Sequence, residues 1–336
     1  MVARKLWRKP AELVGARRVG KKVVLLLKVA ISLGLVLALG WRFRGDIPSL
    51  ATVDRQVLIG AIALLLLQPG LIGIRWWLLL RQYNSHSTLV SLAGITWFAV
   101  FANQFLPAGV GGDAVRIYYA RQLGDRLGAA TASVMMDRIL ALVALVLMVV
   151  ALAPFLPAVI DRRLIFALGA LCAACVAVLV AIYIFVSRSK HAPLSSPLAQ
   201  RLLSLTHYVL RTFSFPVQSL VALSISVAVH ILSFSAFMMI ARSLGIDVSA
   251  GPLMAVTALL TFIQIMPISI GGWGVREVAA VSLLGMLGVD PGSALLASLL
   301  TGLSYAAASL PGVAIWPFVK VRSSQSLSDD ADAAAR

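Results

Sequence analysis

The sequence predicts an all-α integral membrane protein, with about six full transmembrane helices and two re-entrant helical hairpins arranged as an inverted repeat. Two observations carry this prediction. Sixty per cent of the 336 residues are hydrophobic and only 12% are charged, far from the balance of a water-soluble globular chain. In addition, one pattern, Gln-x-x-Pro-x-x-x-Gly-Gly-x-x-x-Arg, occurs twice, each time at the end of an apolar stretch.

A bilayer core about 30 Å thick takes roughly 20 apolar residues per helix. Stretches of that kind lie at 23–41, 57–80, 130–152, 164–187, 217–240 and 293–318, and two more, 88–106 and 252–270, run into the repeated pattern. Ahead of them, residues 1–22 form a basic segment holding eight of the 29 lysines and arginines. The apolar run that follows is long and lacks a small-x-small cleavage site, so it reads as a retained first span rather than a signal peptide. Its basic flank is a positive-inside anchor on anionic headgroups. The formal charge of +16 therefore points to a membrane surface, and no nucleic-acid partner is expected.

Residues 23–320 form a single transmembrane domain with repeat halves of about 23–163 and 164–320, and 321–336 read as a polar, disordered cytoplasmic tail. Cys172 and Cys175 make a Cys-x-x-Cys inside an apolar stretch. With no second pair for zinc and no thioredoxin-like context, they read as small packing residues. No metal or other cofactor is expected.

The first copy of the pattern is Gln104, Pro107, Gly111, Gly112 and Arg116; the second is Gln264, Pro267, Gly271, Gly272 and Arg276, each 160 residues later. Gly and Pro alone are common in membrane helices, but a matched Gln and Arg at fixed spacing mark an internal duplication. Charge decides its orientation. If 88–106 and 252–270 dip in and turn back, Arg81, Arg116, Arg121, Arg126, Arg188, Lys190, Arg201, Arg211, Lys320 and Arg322 fall on the side of the basic N-terminus. Only Arg42, Arg44, Arg55, Arg162, Arg163 and Arg242 then face outward, and Arg276 lies within the second hairpin. Full crossings would instead move Arg116, Arg121, Arg126 and the four basic residues of 188–211 outside. The re-entrant arrangement obeys the positive-inside rule better. Its hairpin tips meet near the midplane, where irregular backbone is tolerated only beside protein or a water-filled cavity.

Within the first hairpin, Pro107 ends the incoming half-helix, and Gly109, Gly111 and Gly112 allow the turn. Asp113 is expected to cap the returning half-helix, with Arg116 near one turn in. The second copy has Trp273 in place of Asp113 and adds Gly274 and Glu277. Two half-helix N-termini with an arginine each make an anion site suited to a phosphate headgroup. Asp113 and Glu277 would balance the arginines or carry a proton. The plainer reading is that Asp113 only caps, and that Arg116 pairs with Glu277 or Asp113 to close the hairpins. Ionisable groups at membrane depth favour function over closure.

Asp137 and Arg138 open the third full span, facing either a cavity or the interface. Arg75 and Lys28 read as snorkelling residues near helix ends. His230 reads as a packing histidine ahead of a proton relay, and Gln68-Pro69-Gly70 as a kink in the second span. Trp41, Trp76, Trp77, Trp97 and Trp316 suit interfacial belts. The chain has no P-loop, His-Glu-x-x-His or Gly-x-Ser-x-Gly motif, so neither enzymatic chemistry nor ATP-driven pumping is expected.

Taken together, Asn103-Gln104-x-x-Pro107, Gly111-Gly112-Asp113-x-x-Arg116, Asp137-Arg138, Gly271-Gly272-x-Gly274-x-Arg276-Glu277 and Leu310-Pro311-Gly312 resemble the lysylphosphatidylglycerol synthase transmembrane region. This is also called the flippase-like, or uncharacterised membrane protein 0104, family. The resemblance spans about residues 20–320. It implies a multi-pass protein of the bacterial inner membrane, with both termini cytoplasmic, that translocates lipids. In bifunctional relatives this region moves aminoacylated phosphatidylglycerol to the outer leaflet, and a separate domain makes that lipid. Here no synthase domain follows, so the expectation is a stand-alone member that does not aminoacylate lipid. Stand-alone members have been linked to hopanoids and glycan-carrier lipids, so the expected partners are membrane lipids with a phospholipid, hopanoid or lipid-carrier headgroup.

The candidate substrate-binding residues are Asn103, Gln104, Gly111, Gly112, Asp113, Arg116, Asp137, Arg138, Gln264, Gly271, Gly272, Arg276 and Glu277. Two alternatives compete: a secondary transporter or channel for a small anion, and a non-transporting membrane accessory protein. Apolar helix faces serve lipid or a second copy equally, which leaves a homo-oligomer open.

Overall fold

The computed structural model describes residues 29–48 except 31, 53–105, 111–158, 215–265 and 272–315, with isolated residues between 160 and 174. The elements are helices: α1 (Ser32–Arg42), α2 (Arg55–Arg81), α3 (Leu89–Phe105), α4 (Gly111–Gln122) and α5 (Leu127–Leu152), the last followed by a 3₁₀ turn. Then come α6 (Pro216–Ser243), α7 (Ala250–Gln264), α8 (Val275–Gly285), α9 (Pro291–Ser309) and the short α10 (Pro311–Ile315). Among the described residues, four segments are long and apolar enough to cross a membrane: Arg55–Arg81, Leu127–Phe155, Pro216–Ser243 and Pro291–Ile315. The chain is a multi-pass membrane protein.

Local chemistry sets the helix ends. Asp54 accepts from the Gln56 N–H at 2.8 Å ahead of α2, and Asp290 accepts from Gly292 at 2.8 Å ahead of α9, which opens on Pro291. A carboxylate cap, in α9 with proline in the first turn, satisfies donors that a helix cannot pair internally. The order long, short, short, long occurs twice. The second set starts at 216, 250, 275 and 291, against 55, 89, 111 and 127 in the first. The starts are offset by 161 to 164 residues, close to the 160 that separates the two copies of the short pattern.

α2 packs most extensively on α6, and antiparallel to it: Gly60 faces Met239, Gln68 faces Ser233 and Arg75 faces Ser226. The α3–α4 hairpin comes back to the level at which it started. The Ser87 hydroxyl, before α3, donates to Asp125, after α4, at 2.8 Å. At the opposite end of α2, Asp54 lines one groove with Arg242 of α6 and Ala250 of α7. Gly251 there lies against the Phe155 ring, and Gly292 at the start of α9 sits against the Asp46 carbonyl. Three apolar clusters hold this together. One joins α3 and α4 to α2, α5 and α6, a second joins α7 and α8 to α5, α6 and α9, and a third lies between α2, α6 and α9.

Several expectations fall outside the described residues: nearly all of span 164–187, with Cys172 and Cys175; the basic segment with Lys28; Trp316 and the tail; and the turn residues Pro107, Gly109, Pro267 and Gly271. Pro69 lies within α2, which runs from Arg55 to Arg81. Its neighbour Gln68 acts as a cross-link, donating from Nε2 to Ser233 Oγ at 2.9 Å.

Candidate functional site

In the first repeat, α4 begins at Gly111, and the Gly112 N–H donates to Asn103 Oδ1 of α3 at 2.7 Å. A Cβ on residue 112 would run into the Ala99 carbonyl, so only glycine lets α4 approach α3 this closely. This corrects the expectation for Asp113. With Asn103 already on the helix end, Asp113 is the third residue of α4, and its carboxylate turns to Arg138. Arg138 grips it from Nε at 3.0 Å and from Nη2 at 2.9 Å.

Arg116 donates from Nη1 to Asp137 Oδ2 at 2.7 Å and lies 3.9 Å from Asp113. The other oxygen of Asp137 accepts from Arg75 Nε at 2.5 Å, and Arg75 Nη1 donates to Ser226 at 2.8 Å. Arg75, Asp137, Arg116, Asp113 and Arg138 therefore form a row of alternating charge, in which three guanidinium groups meet two carboxylates. The row is buried at the Arg75 end, 4% exposed at the side chain, and opens at the Arg138 end, 52% exposed. The guanidinium of Arg116 lies 4.5 Å over the Trp76 ring, whose Nε1 donates to Ser133 at 3.0 Å. Two of its nitrogens, Nε and Nη2, are buried without a hydrogen-bond partner.

The second repeat solves the same burial differently. Gly274, at φ +85°, turns the chain into α8 in a conformation that suits glycine. Its N–H donates to Glu277 Oε2 at 2.5 Å. Arg276 donates to Glu277 Oε1 from Nε at 2.9 Å and from Nη2 at 2.6 Å, while Ser298 of α9 bonds both side chains at 3.2 Å. Arg276 lies 4.6 Å over the Trp273 ring. Gln264 and Arg276 line a cavity of about 40 Å³ with Thr257, Thr261, Thr301 and Tyr305. It has room for a few waters but not for a headgroup.

Of the predicted residues, Asn103, Gly112, Asp113, Arg116, Asp137 and Arg138 converge on one cluster, and Gln264, Gly272, Arg276 and Glu277 on a second. Gln104, at the end of α3, and Gly111, at the start of α4, lie beside the first, and Gly271 is outside the described residues. The pairing of Arg116 with Glu277 does not form; each arginine keeps a carboxylate of its own half. Asp137 is not interfacial, being fully buried between two arginines.

Arg75 and Trp76 need correcting too. Neither reaches the headgroups: Arg75 is 3% exposed and Trp76 is fully buried beneath Arg116. The signal for Arg75 was there, because an arginine in one apolar stretch and an aspartate in another are expected to pair. Nothing in the sequence pointed to Ser226, Ser298 or Gly302. His230 is a packing histidine, with Nε2 3.0 Å from the Ala141 carbonyl and its ring stacked on Phe234. Among the described residues, no group of three or more His, Cys, Asp or Glu side chains could hold a metal.

These features define a helical, multi-pass membrane protein with a duplicated sequence pattern and arginine–carboxylate clusters buried within its helices. Comparison with known families places it further: the chain belongs to the family of the lysylphosphatidylglycerol synthase TM region, matched over residues 25–312. Comparison with curated proteins gives no match.

Proposed function

We propose that this chain is a lipid flippase that moves an anionic, phosphate-bearing lipid headgroup between the leaflets of a bacterial inner membrane. It would do so by translocation and without enzymatic chemistry. One observation carries this reading: the row around Asp137 brings three guanidinium groups to two carboxylates, and it ends at Arg138, half exposed near the middle of a span. At 1.5 Å per residue, Arg138 lies about 17 Å along α5. A charge at the bilayer centre costs at least ~3 kcal/mol against lipid. The face it opens onto is therefore a polar path, along which a guest anion meets the guanidinium groups of the row.

The path is formed between two re-entrant hairpins in an inverted repeat, within six full spans and with both termini cytoplasmic. The Ser87–Asp125 contact and the clustering of Asp54, Arg242 and Ala250 support this, because they put the first hairpin and the start of the second at opposite ends of α2. The headgroup crosses through the path while its tails stay in lipid, with Arg116 and Arg276 holding the phosphate in turn. Membership of a family named for a lipid synthase agrees with a lipid cargo.

A non-transporting accessory role is the second reading, favoured by the closed Arg276–Glu277 pair. Proteoliposomes loaded with headgroup-labelled phospholipid separate the two. The flippase reading expects rapid loss of leaflet asymmetry with the parent protein and loss of that activity in Arg116→Ala and Arg276→Ala, each still folded by circular dichroism. Full activity in the double variant, or no lipid movement at all, would sink it. Uptake of a soluble anion without lipid movement would favour a small-anion transporter.

A further inference from the structure

The repeat allows one half to be read against the other. In the second half, the Nε–Nη2 edge of Arg276 grips one oxygen of Glu277, at 2.9 and 2.6 Å. The same carboxylate takes the Gly274 N–H at the start of α8 and the hydroxyl of Ser298. A guanidinium edge, a helix N-terminus and a hydroxyl are the donors that also bind a phosphate oxygen. In the first half, the position 160 residues before Glu277 is Ile117. The matching Nε–Nη2 edge of Arg116 is buried and has no hydrogen-bond partner, although the residue is 4% exposed. Nη1 alone is engaged, on Asp137, and the α4 end is already satisfied by Asn103. The two arginines thus differ at one edge, and one glutamate makes the difference.

Resting on the headgroup reading above, we infer that Glu277 is a built-in stand-in for the cargo's oxyanion, and that the unpartnered edge of Arg116 is the seat for the cargo itself. The ligand class is a singly charged oxyanion within bidentate reach of a guanidinium, as in a phosphodiester. Its source is a lipid headgroup or free phosphate. A second seat, at Arg276, becomes available only when Glu277 swings away. Cargo then meets Arg116 first, and transfer to the second half requires it to displace Glu277, which makes that carboxylate a gate.

The test counts bound ligands on the purified full-length chain in detergent by native mass spectrometry, with short-chain phosphatidylglycerol and inorganic phosphate as separate probes. The expected pattern is one ligand on the parent protein, two on Glu277→Gln, and affinity weakened at least tenfold in Ile117→Glu, which supplies the missing carboxylate to Arg116. Gln keeps an acceptor for the Gly274 N–H. If that variant nevertheless fails to fold, Ile117→Glu, at a half-buried position, still decides. Equal counts for the parent and Glu277→Gln, or unchanged affinity in Ile117→Glu, would overturn the inference. The one, two, weakened pattern with phosphate alone upholds the seat and overturns only the lipid reading. Lipid movement in proteoliposomes with unchanged counts does the reverse.

Discussion

Arg116 and Arg276 occupy the same place in two copies of one pattern, and each lies over a tryptophan ring, at 4.5 and 4.6 Å. Their counter-ions come from different places. Arg116 borrows Asp137 from α5, which also holds Arg75 of α2, which in turn reaches Ser226 of α6. Arg276 uses the next residue of its own helix, with one hydroxyl from α9. The first cluster therefore ties four helices together and brings three guanidinium groups to two carboxylates, whereas the second is local, one guanidinium with one carboxylate. The two copies of the pattern keep their arginines but satisfy them differently: one through a brace across four helices, with one edge of the guanidinium unpartnered, the other beside its own helix neighbour.

The sharpest way to break that comparison is Asp137→Ala. It leaves two buried guanidinium groups without their shared carboxylate, and removing one partner of a buried ion pair costs about 3–5 kcal/mol. The expected result is a large drop in the thermal unfolding midpoint in detergent, or failure to accumulate. A midpoint near that of the parent would mean that the row does not brace α2, α4, α5 and α6.

Gly302→Ala probes the second half. A Cβ there runs into Arg276 Nη2, and the guanidinium is pinned on its other side by Glu277 and Ser298. Overpacking of this kind costs typically about 1–3 kcal/mol, so the variant should unfold below the parent and above Asp137→Ala. The requirement for glycine comes from the close approach of Arg276 to α9. If Gly302→Ala is neutral, Arg276 has an alternative place to lie, and the closed pair is looser than its geometry implies.

How much of this was legible in the sequence follows from the physics of each feature. Apolar stretches of span length are read directly, because the bilayer demands about 20 apolar residues per crossing, and α2, α5, α6 and the α9–α10 segment match four of them within a few residues. The pairing of helices was not legible. Gln68 with Ser233 and Arg75 with Ser226 are cross-helix contacts more than 150 residues apart, and helix faces here carry no amphipathic signal, because lipid is as apolar as the protein interior. Arg75 and Trp76 were misread for the same reason: near a helix end, snorkelling and inward pairing look alike until the neighbour is known. Asp113 was misread because its expected role as a cap was already filled by Asn103, from the other arm of the hairpin. The matched Gln and Arg were legible as a pair, but the carboxylate serving each came from unmatched positions.

The smallest effect on stability is expected at Asp113→Asn, and it sharpens the comparison most finely. Asp113 pairs with Arg138, half exposed at the end of the row, and such open pairs contribute about 0–1 kcal/mol. The unfolding midpoint should therefore barely move. Anion affinity should change instead, because three arginines would then face a single carboxylate, and binding of short-chain phosphatidylglycerol should tighten several-fold. No matching change is available in the second half, where Trp273 takes the place of Asp113. If the variant unfolds early with unchanged affinity, Arg138 and Asp113 are a structural clasp, and the positive end of the row is not where a headgroup first meets the protein.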